Sequence, residues 1–167
     1  MLFFIVLAVA TALVTIARRR EPFRGNVRIG LGVAMAFAGA SHLFMPTPFV
    51  QHLPEWVPVR TELIYFTGIV EIALGSALLW PARWRQLAGL ALAAYLVSVF
   101  PSNVYVAVEA IDVDGQPGGV YPWLRLPFQA LFVGLALWST DALEVLRRPF
   151  WSKSRPIAMD EMAVSPR

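Results

Sequence analysis

Glu71 stands in the middle of an apolar run, Thr61–Trp80. A carboxylate at the centre of a hydrocarbon layer costs at least ~2.5 kcal/mol, so such a group is protonated, paired, or set in a wet cavity. Ile64, Thr67, Gly68, Glu71 and Gly75 share one helical face. Small and hydroxyl residues on that face let a second helix approach closely. Two readings follow: a structural hydrogen bond between helices, or a group that binds a ligand or handles a proton. Arg125 and Gln129 lie one helical turn apart and share a face. Arg125 either extends toward Glu71 or snorkels to the headgroups. His42 closes a face that also carries Gly32, Met35 and Gly39. Asn103 follows Pro101 late in another apolar run. Proline there removes the hydrogen bond to the Val97 carbonyl and kinks the helix, and Ser98, Ser102 and Asn103 can satisfy the freed groups. Tyr95, Ser98 and Ser102 read as a packing seam, and His52, in a proline-rich loop, as a side chain without a functional role.

His42, Glu71, Asn103, Arg125 and Gln129 all fall in one half of the layer, on four different helices. Polar residues scattered without purpose would not favour one leaflet. The expectation is a cavity open to the outer face and roofed by the segment Pro46–Arg60, with these five as candidate ligand-binding residues. Two histidines so placed make poor haem ligands. The chain has no cysteine, which excludes disulfides, thiolate metal sites and direct thiol redox chemistry. No metal site is expected. Asp112-Val113-Asp114-Gly115 echoes the start of a calcium loop, but its glycine comes too early and the downstream Glu is missing.

The elements that must position these residues are apolar segments. Of 167 residues, 57% are hydrophobic and 15% charged, with a mean hydropathy of +0.60. Soluble domains carry charge on about a quarter of their residues, so lipid is the expected solvent. The runs are Met1–Ala17, Val27–Met45, Thr61–Trp80, Leu87–Val108 and Trp123–Thr140. Each is near the ~20 residues a helix needs to cross the hydrocarbon, the first being at the short limit. Arg18, Arg19, Arg20, Arg24 and Arg28 follow the first run, Arg83 and Arg85 precede the fourth, and Arg147, Arg148, Lys153 and Arg155 follow the fifth. The positive-inside rule then places the N-terminus outside and the C-terminus in the cytoplasm. Because the arginines follow the first run instead of preceding it, that run reads as a retained helix and not a cleaved signal.

The basic residues flank apolar runs, so the net charge of +3 does not indicate a nucleic-acid partner. Pro46, Pro48, Pro54 and Pro58 rule out a regular helix through the first outer loop. A shift of 58 positions brings Glu71 onto Gln129 and Trp80 onto Trp138, a faint sign of a parallel repeat. The expected organisation is a first transmembrane helix over 1–17, a basic cytoplasmic loop over 18–26, a transmembrane bundle over 27–140, and a largely disordered cytoplasmic tail over 141–167.

The phrases Gly39-Ala40-Ser41-His42-Leu43-Phe44, Gly68-Ile69-Val70-Glu71-Ile72, Phe100-Pro101-Ser102-Asn103 and Trp123-Leu124-Arg125-Leu126-Pro127-Phe128-Gln129 resemble the DoxX-like membrane proteins. The resemblance runs from about Arg28 to Trp138. It implies an all-α, polytopic four-helix transmembrane bundle in a bacterial inner or plasma membrane, to which this chain adds its first helix. The family's eponym is similar to a subunit of a thiosulfate:quinone oxidoreductase, and other members associate with redox-protective complexes. The resemblance thus implies an auxiliary subunit binding a quinone or similar hydrophobic ligand beside a membrane or soluble redox partner; most members have no established activity, so whether the chain is itself an enzyme is left open, leaning against. With no cysteine, the chain can serve such a complex only as quinone site, anchor or partner. The competing expectations are a non-catalytic scaffold or chaperone-like partner, and a small lipid-modifying enzyme or carrier.

Overall fold

A computed structural model describes residues 2–80 and 82–147. The protein is all-α, and no strand occurs among the described residues. Its helices are α1 (Leu2–Ala17), α2 (Phe23–Phe44), α3 (Thr47–Val50), α4 (Arg60–Ala77), α5 (Ala82–Ser98), α6 (Phe100–Val108), α7 (Tyr121–Ser139) and α8 (Ala142–Arg147). Each of the five apolar runs forms a helix, the fourth in two pieces. The break at Val99 follows from Pro101 in the first turn of α6, whose ring nitrogen has no hydrogen to give the preceding turn. Ser98 and Ser102 turn their hydroxyls back onto the carbonyls of Tyr95 and Val99, at 2.7 and 2.8 Å.

Two helical segments are long and apolar enough to cross a membrane, α2 and the α5–α6 rod from Trp84 to Val108; α1 is apolar but shorter. The helices α4 and α7 have the length. The first carries Arg60, Glu62 and Glu71, and the second Arg125, Pro127 and Gln129. The side chains that make a candidate site are thus the ones that dilute the apolarity of these two helices.

The helices α2 and α4 run antiparallel along a seam of paired glycines, Gly32 against Gly75 and Gly39 against Gly68. A Cβ added at Gly75 would lie 2.7 Å from the Gly32 carbonyl oxygen, and one at Gly68 would lie 2.8 Å from that of Gly39. Backbone meets backbone, as the small residues on these faces lead one to expect. On the other side of the bundle α5 packs on α7, where Gly89 meets the Thr140 side chain. Leu31 and Met35 of α2, Leu92 of α5 and Phe132 and Ala136 of α7 form the core between them, with Leu7 of α1 and Leu78 beyond α4.

At the end of the bundle away from α3, Asp141 ties α2, α5 and α7 together. Arg24 Nη1 and Arg85 Nη2 each lie 2.7 Å from one of its carboxylate oxygens. The Arg24 guanidinium also donates through Nε and Nη2 to the Trp138 carbonyl and lies 5.2 Å from the centre of the Trp138 ring. Asp141 adopts a left-handed backbone (φ 62°), which ends α7 and turns the chain into α8. The segment Ala142–Arg147, expected in the disordered tail, is helical and packs on α5 and α7. The tail from Arg148 onward lies outside the described residues. The basic loop is shorter than 18–26, because α2 already begins at Phe23.

At the opposite end, the proline-rich segment after α2 holds one short helix, α3, with Pro48 in its first turn, followed by a series of turns. This segment and the loop between α6 and α7 form a lid. Gln51 joins the two loops by accepting from the Asp114 N–H at 2.8 Å and donating to Asp114 Oδ2 at 3.0 Å.

Candidate functional site

The glycine seam determines how Glu71 is placed. Close approach of α2 at Gly39 and Gly68 carries Glu71 into the interior beside His42, and both side chains are buried. Glu71 Oε1 accepts a hydrogen bond from the Tyr95 hydroxyl on α5 at 2.8 Å. Glu71 Oε2 is buried without a hydrogen-bond partner, and the nearest basic atom to it is His42 Nε2 at 3.8 Å. Among the described residues no arginine or lysine pairs with this carboxyl group.

The protons of this group can be assigned from its neighbours. Thr67 donates its one hydroxyl hydrogen to the Ile64 carbonyl at 2.9 Å. While that hydrogen stays on the Ile64 carbonyl, the Thr67 oxygen accepts from His42 Nδ1, 3.2 Å away, a direction that depends on the imidazole tautomer. A neutral His42 then carries its hydrogen on Nδ1 and turns the Nε2 lone pair toward Glu71 Oε2. Two acceptors face each other unless one proton resides on one of them. At 3.8 Å the gap is too long for a direct hydrogen bond. The pair thus leaves a ring nitrogen and a carboxyl oxygen side by side in the interior, not hydrogen-bonded to each other.

The other three candidate residues lie in two further groups. Asn103 Nδ2 donates to Gln129 Oε1 at 2.8 Å, and Gln129 Nε2 donates to the Leu96 carbonyl at 2.6 Å. This chain crosses from α6 through α7 to α5 at the break that Pro101 creates. Arg125 does not reach Glu71 or Gln129. Its Nη1 lies 2.7 Å from His52 Nε2 and 2.7 Å from Gln116 Oε1, and the guanidinium is 6.0 Å from the centre of the Tyr121 ring. The hydrogen bond from His52 Nδ1 to the Pro48 carbonyl, at 2.7 Å, leaves Nε2 free to accept from Arg125. Burial, with the Arg125 guanidinium beside it, pushes the His52 imidazole down to about 4.

The three groups adjoin. Tyr95, which holds Glu71, and Leu96, whose carbonyl takes Gln129, are consecutive on α5. The Phe49 ring lies on His42, centroids 4.0 Å apart, and faces His52 at 6.5 Å. Phe49, part of the roofing segment itself, thus lies against both histidines. Sequence reasoning missed two members. Tyr95 was read as part of a packing seam, although a tyrosine hydroxyl on a buried apolar helix needs a partner. His52 was read as having no role, and it is buried against Arg125. Pro48, four residues before it, was the available signal, since a carbonyl one turn back can take the imidazole N–H. Nothing in the sequence pairs His52 with Arg125. Among the described residues no group of three or more His, Asp or Glu side chains is placed to hold a metal ion.

Residues 31–140 match the family model described as a domain of unknown function, DUF8561. The chain belongs to this family. The DUF8561 segment contains all five candidate residues together with Tyr95, the lid and the glycine seam, and leaves out α1. No curated protein and no solved structure matches the chain.

Proposed function

We propose that this DUF8561 protein is an integral membrane protein of five spans, with α1, α2, α4, α5–α6 and α7 crossing the bilayer, the lid outside and the Asp141 end in the cytoplasm. The arginine distribution supports this orientation. The length and apolarity of α2 and of the α5–α6 rod support the spans, and α4 and α7 complete a bundle around the polar residues they carry. Within the bundle the protein binds a quinone or similar hydrophobic molecule between His42 and Glu71, as an auxiliary subunit of a redox or stress-related complex in the plasma membrane. The likeness of its WLRLPFQ and FPSN segments to DoxX-like proteins favours the same reading.

The observation that carries it is the unsatisfied oxygen. A buried carboxyl oxygen with no partner costs roughly 1–3 kcal/mol, and a ligand that bonds to it would offset that cost. A quinone carbonyl accepts from a protonated Glu71 Oε2, and a quinol hydroxyl donates to His42 Nε2. The flat ring of the headgroup takes the place of the Phe49 ring over His42 once the lid moves. Interconversion of quinone and quinol needs two electrons as well as two protons, and the electrons come from a redox partner in the complex. This chain supplies the binding site and a route for protons.

The test is a lipid extract of the purified protein, analysed by mass spectrometry. An isoprenoid quinone near one per chain, lost in Glu71→Leu and in His42→Ala but kept in Arg60→Gln, is the expected result. An extract without quinone sinks this reading in favour of a non-catalytic scaffold. One observation favours that second reading, namely that the Asn103–Gln129–Leu96 chain is already satisfied within the protein and serves helix packing without a ligand.

A further inference from the structure

A groove of about 810 Å³ lies between α1, α2 and α7, away from Glu71, with Phe4, Leu7, Thr11, Thr15, Val27 and Trp138 among its walls. Toward the lid it is closed by aromatic contacts, the Phe4 ring lying 4.2 Å from that of Phe128 and 4.8 Å from that of Phe132. Toward the cytoplasmic end it opens at Ile16, which also borders a second hollow formed by Arg18, Arg19, Arg20 and Glu21. From Phe4 to Ile16 the helical rise amounts to about 18 Å, so the groove follows most of α1 and reaches past the ~15 Å depth of the cytoplasmic leaflet.

The walls change character along that length. They are hydrocarbon at Phe4 and Leu7, hydroxyl-bearing at Thr11 and Thr15, and cationic beyond Ile16. The Thr15 hydroxyl oxygen is buried without a hydrogen-bond partner. At the mouth, Arg18 leans on Glu21 at 3.6 Å and Arg24 is held by Asp141. Among the described residues Arg19 and Arg20 have no carboxylate partner, and the fields of Arg18 and Arg85 reach Arg28 nearby. Positive charge is in excess here, and it sits where a headgroup would lie.

We propose that this groove holds one anionic diacyl phospholipid from the cytoplasmic leaflet. An acyl chain lies along Phe4 to Ile16, the Thr15 hydroxyl donates to an ester carbonyl, and Arg19 and Arg20 take the phosphate. The gradient from hydrocarbon through hydroxyls to guanidiniums matches the order of groups along such a lipid. A zwitterionic lipid would bring a second cation to an already cationic mouth. The inference rests on the membrane orientation proposed above and is independent of the quinone.

The full-length protein is reconstituted into vesicles of equal phosphatidylglycerol and phosphatidylcholine with identical chains, then re-extracted in mild detergent, and its bound lipid is measured by native mass spectrometry. One phosphatidylglycerol per chain, about tenfold enriched over phosphatidylcholine, is expected. Arg19→Gln with Arg20→Gln should bring the two lipids to parity, and Thr15→Val should lower retention several-fold. Both are mild substitutions at the mouth that leave the bundle packing untouched. Equal binding of the two lipids by the unchanged protein, or undiminished enrichment in the double variant, overturns the proposal. Protein that washes off the vesicles at alkaline pH overturns the membrane orientation beneath it. Quinone in the same extracts reports on Glu71 alone, and the arginine variants should leave it unchanged.

Discussion

Asp141 and Glu71 are both carboxylates at helix contacts, and the protein treats them in opposite ways. Asp141 lies at one end of the bundle with a guanidinium 2.7 Å from each oxygen, and these arginines remain partly in contact with solvent. Glu71 lies inside, with a tyrosine on one oxygen, nothing hydrogen-bonded to the other, and a histidine 3.8 Å away. Where only fastening is needed, a carboxylate is given its full set of partners, as at Asp141, which locks α2, α5 and the end of α7. An incomplete set inside a close-packed core has no such use. On the function proposed above, the difference is that between a clamp and a binding site, and it carries more weight than the mere presence of an acid in an apolar helix.

The largest effect that tests this contrast is on the seam that places Glu71. In Gly68→Val the added side chain meets the Gly39 carbonyl oxygen and the His42 Cβ, both 2.8 Å from where the first new carbon falls. Neither backbone can yield without moving a helix, so the loss should reach about 3 kcal/mol or more. Thermal unfolding in detergent should show a sharp fall or no folded protein. A Gly68→Val protein as stable as the parent would mean that α2 and α4 are not in backbone contact, and that His42 and Glu71 need not meet.

Next in size comes the exchange of the two acids for amides. Asp141→Asn removes the charge between Arg24 and Arg85 but keeps a residue tolerant of the left-handed backbone. Because these pairs are partly exposed, the cost should be about 1–2 kcal/mol, with bound quinone unaffected. Glu71→Gln should show the reverse, a change in stability within about 1 kcal/mol; its amide N–H still donates to a quinone carbonyl, so bound quinone should fall several-fold, and in Glu71→Leu tenfold or more. If both amides lower stability alike and neither alters bound lipid, Glu71 is a second clamp and the distinction fails.

A smaller effect sharpens the proton assignment. Tyr95→Phe deletes the hydroxyl donated to Glu71 Oε1 and leaves both carboxyl oxygens without a hydrogen bond. The expected loss is about 1 kcal/mol when ligand is absent, and less with ligand bound. Infrared spectra should show a carboxyl band that shifts in Tyr95→Phe and disappears in Glu71→Gln. A band that is the same in Tyr95→Phe as in the parent would remove Tyr95 from the site.

How far the sequence carried these conclusions differs between the two acids. Glu71 was legible, because a carboxyl in the centre of an apolar run is anomalous on its own, and Thr67, Gly68 and Gly75 mark the face that meets a partner. The break at Pro101 was legible for a similar reason, since proline acts on its own backbone. Asp141 was not legible. It sits past the last apolar run, where an acid is unremarkable, and its partners come from 117 and 56 residues earlier in the chain. Arg125 shows the limit most clearly. Its helix and depth were readable, but the direction of a long flexible side chain depends on which loop is within reach. The lid brings His52 and Gln116 to it. Residue type and spacing identify groups that are costly to bury, while the loops decide which of them meet.

The last and smallest effect concerns the lid over the Glu71 site. His52 Nδ1–H is held by the Pro48 carbonyl, and Nε2 accepts from Arg125, so the latch exists only while the imidazole is neutral. A second proton on Nε2 would face a guanidinium 2.7 Å away. Burial, reinforced by Arg125, lowers the folded-state value from the ordinary 6.5 to about 4. Between those values an open lid takes up a proton that the closed lid refuses. Closure is therefore at full strength above about pH 6.5, weakens as the pH falls toward about 4, and levels off below. Hydrogen exchange of the 111–117 backbone, corrected for the intrinsic pH dependence of exchange, should quicken through this window, while exchange in α2 and α4 should not. His52→Gln can donate to Pro48 and accept from Arg125 without titrating, so its lid should exchange at a corrected rate independent of pH across the window. If the parent and His52→Gln respond to acid alike, the latch does not depend on the His52 proton. The lid would then be held by Gln51 and Asp114, and access to Glu71 would be set by Phe49 alone.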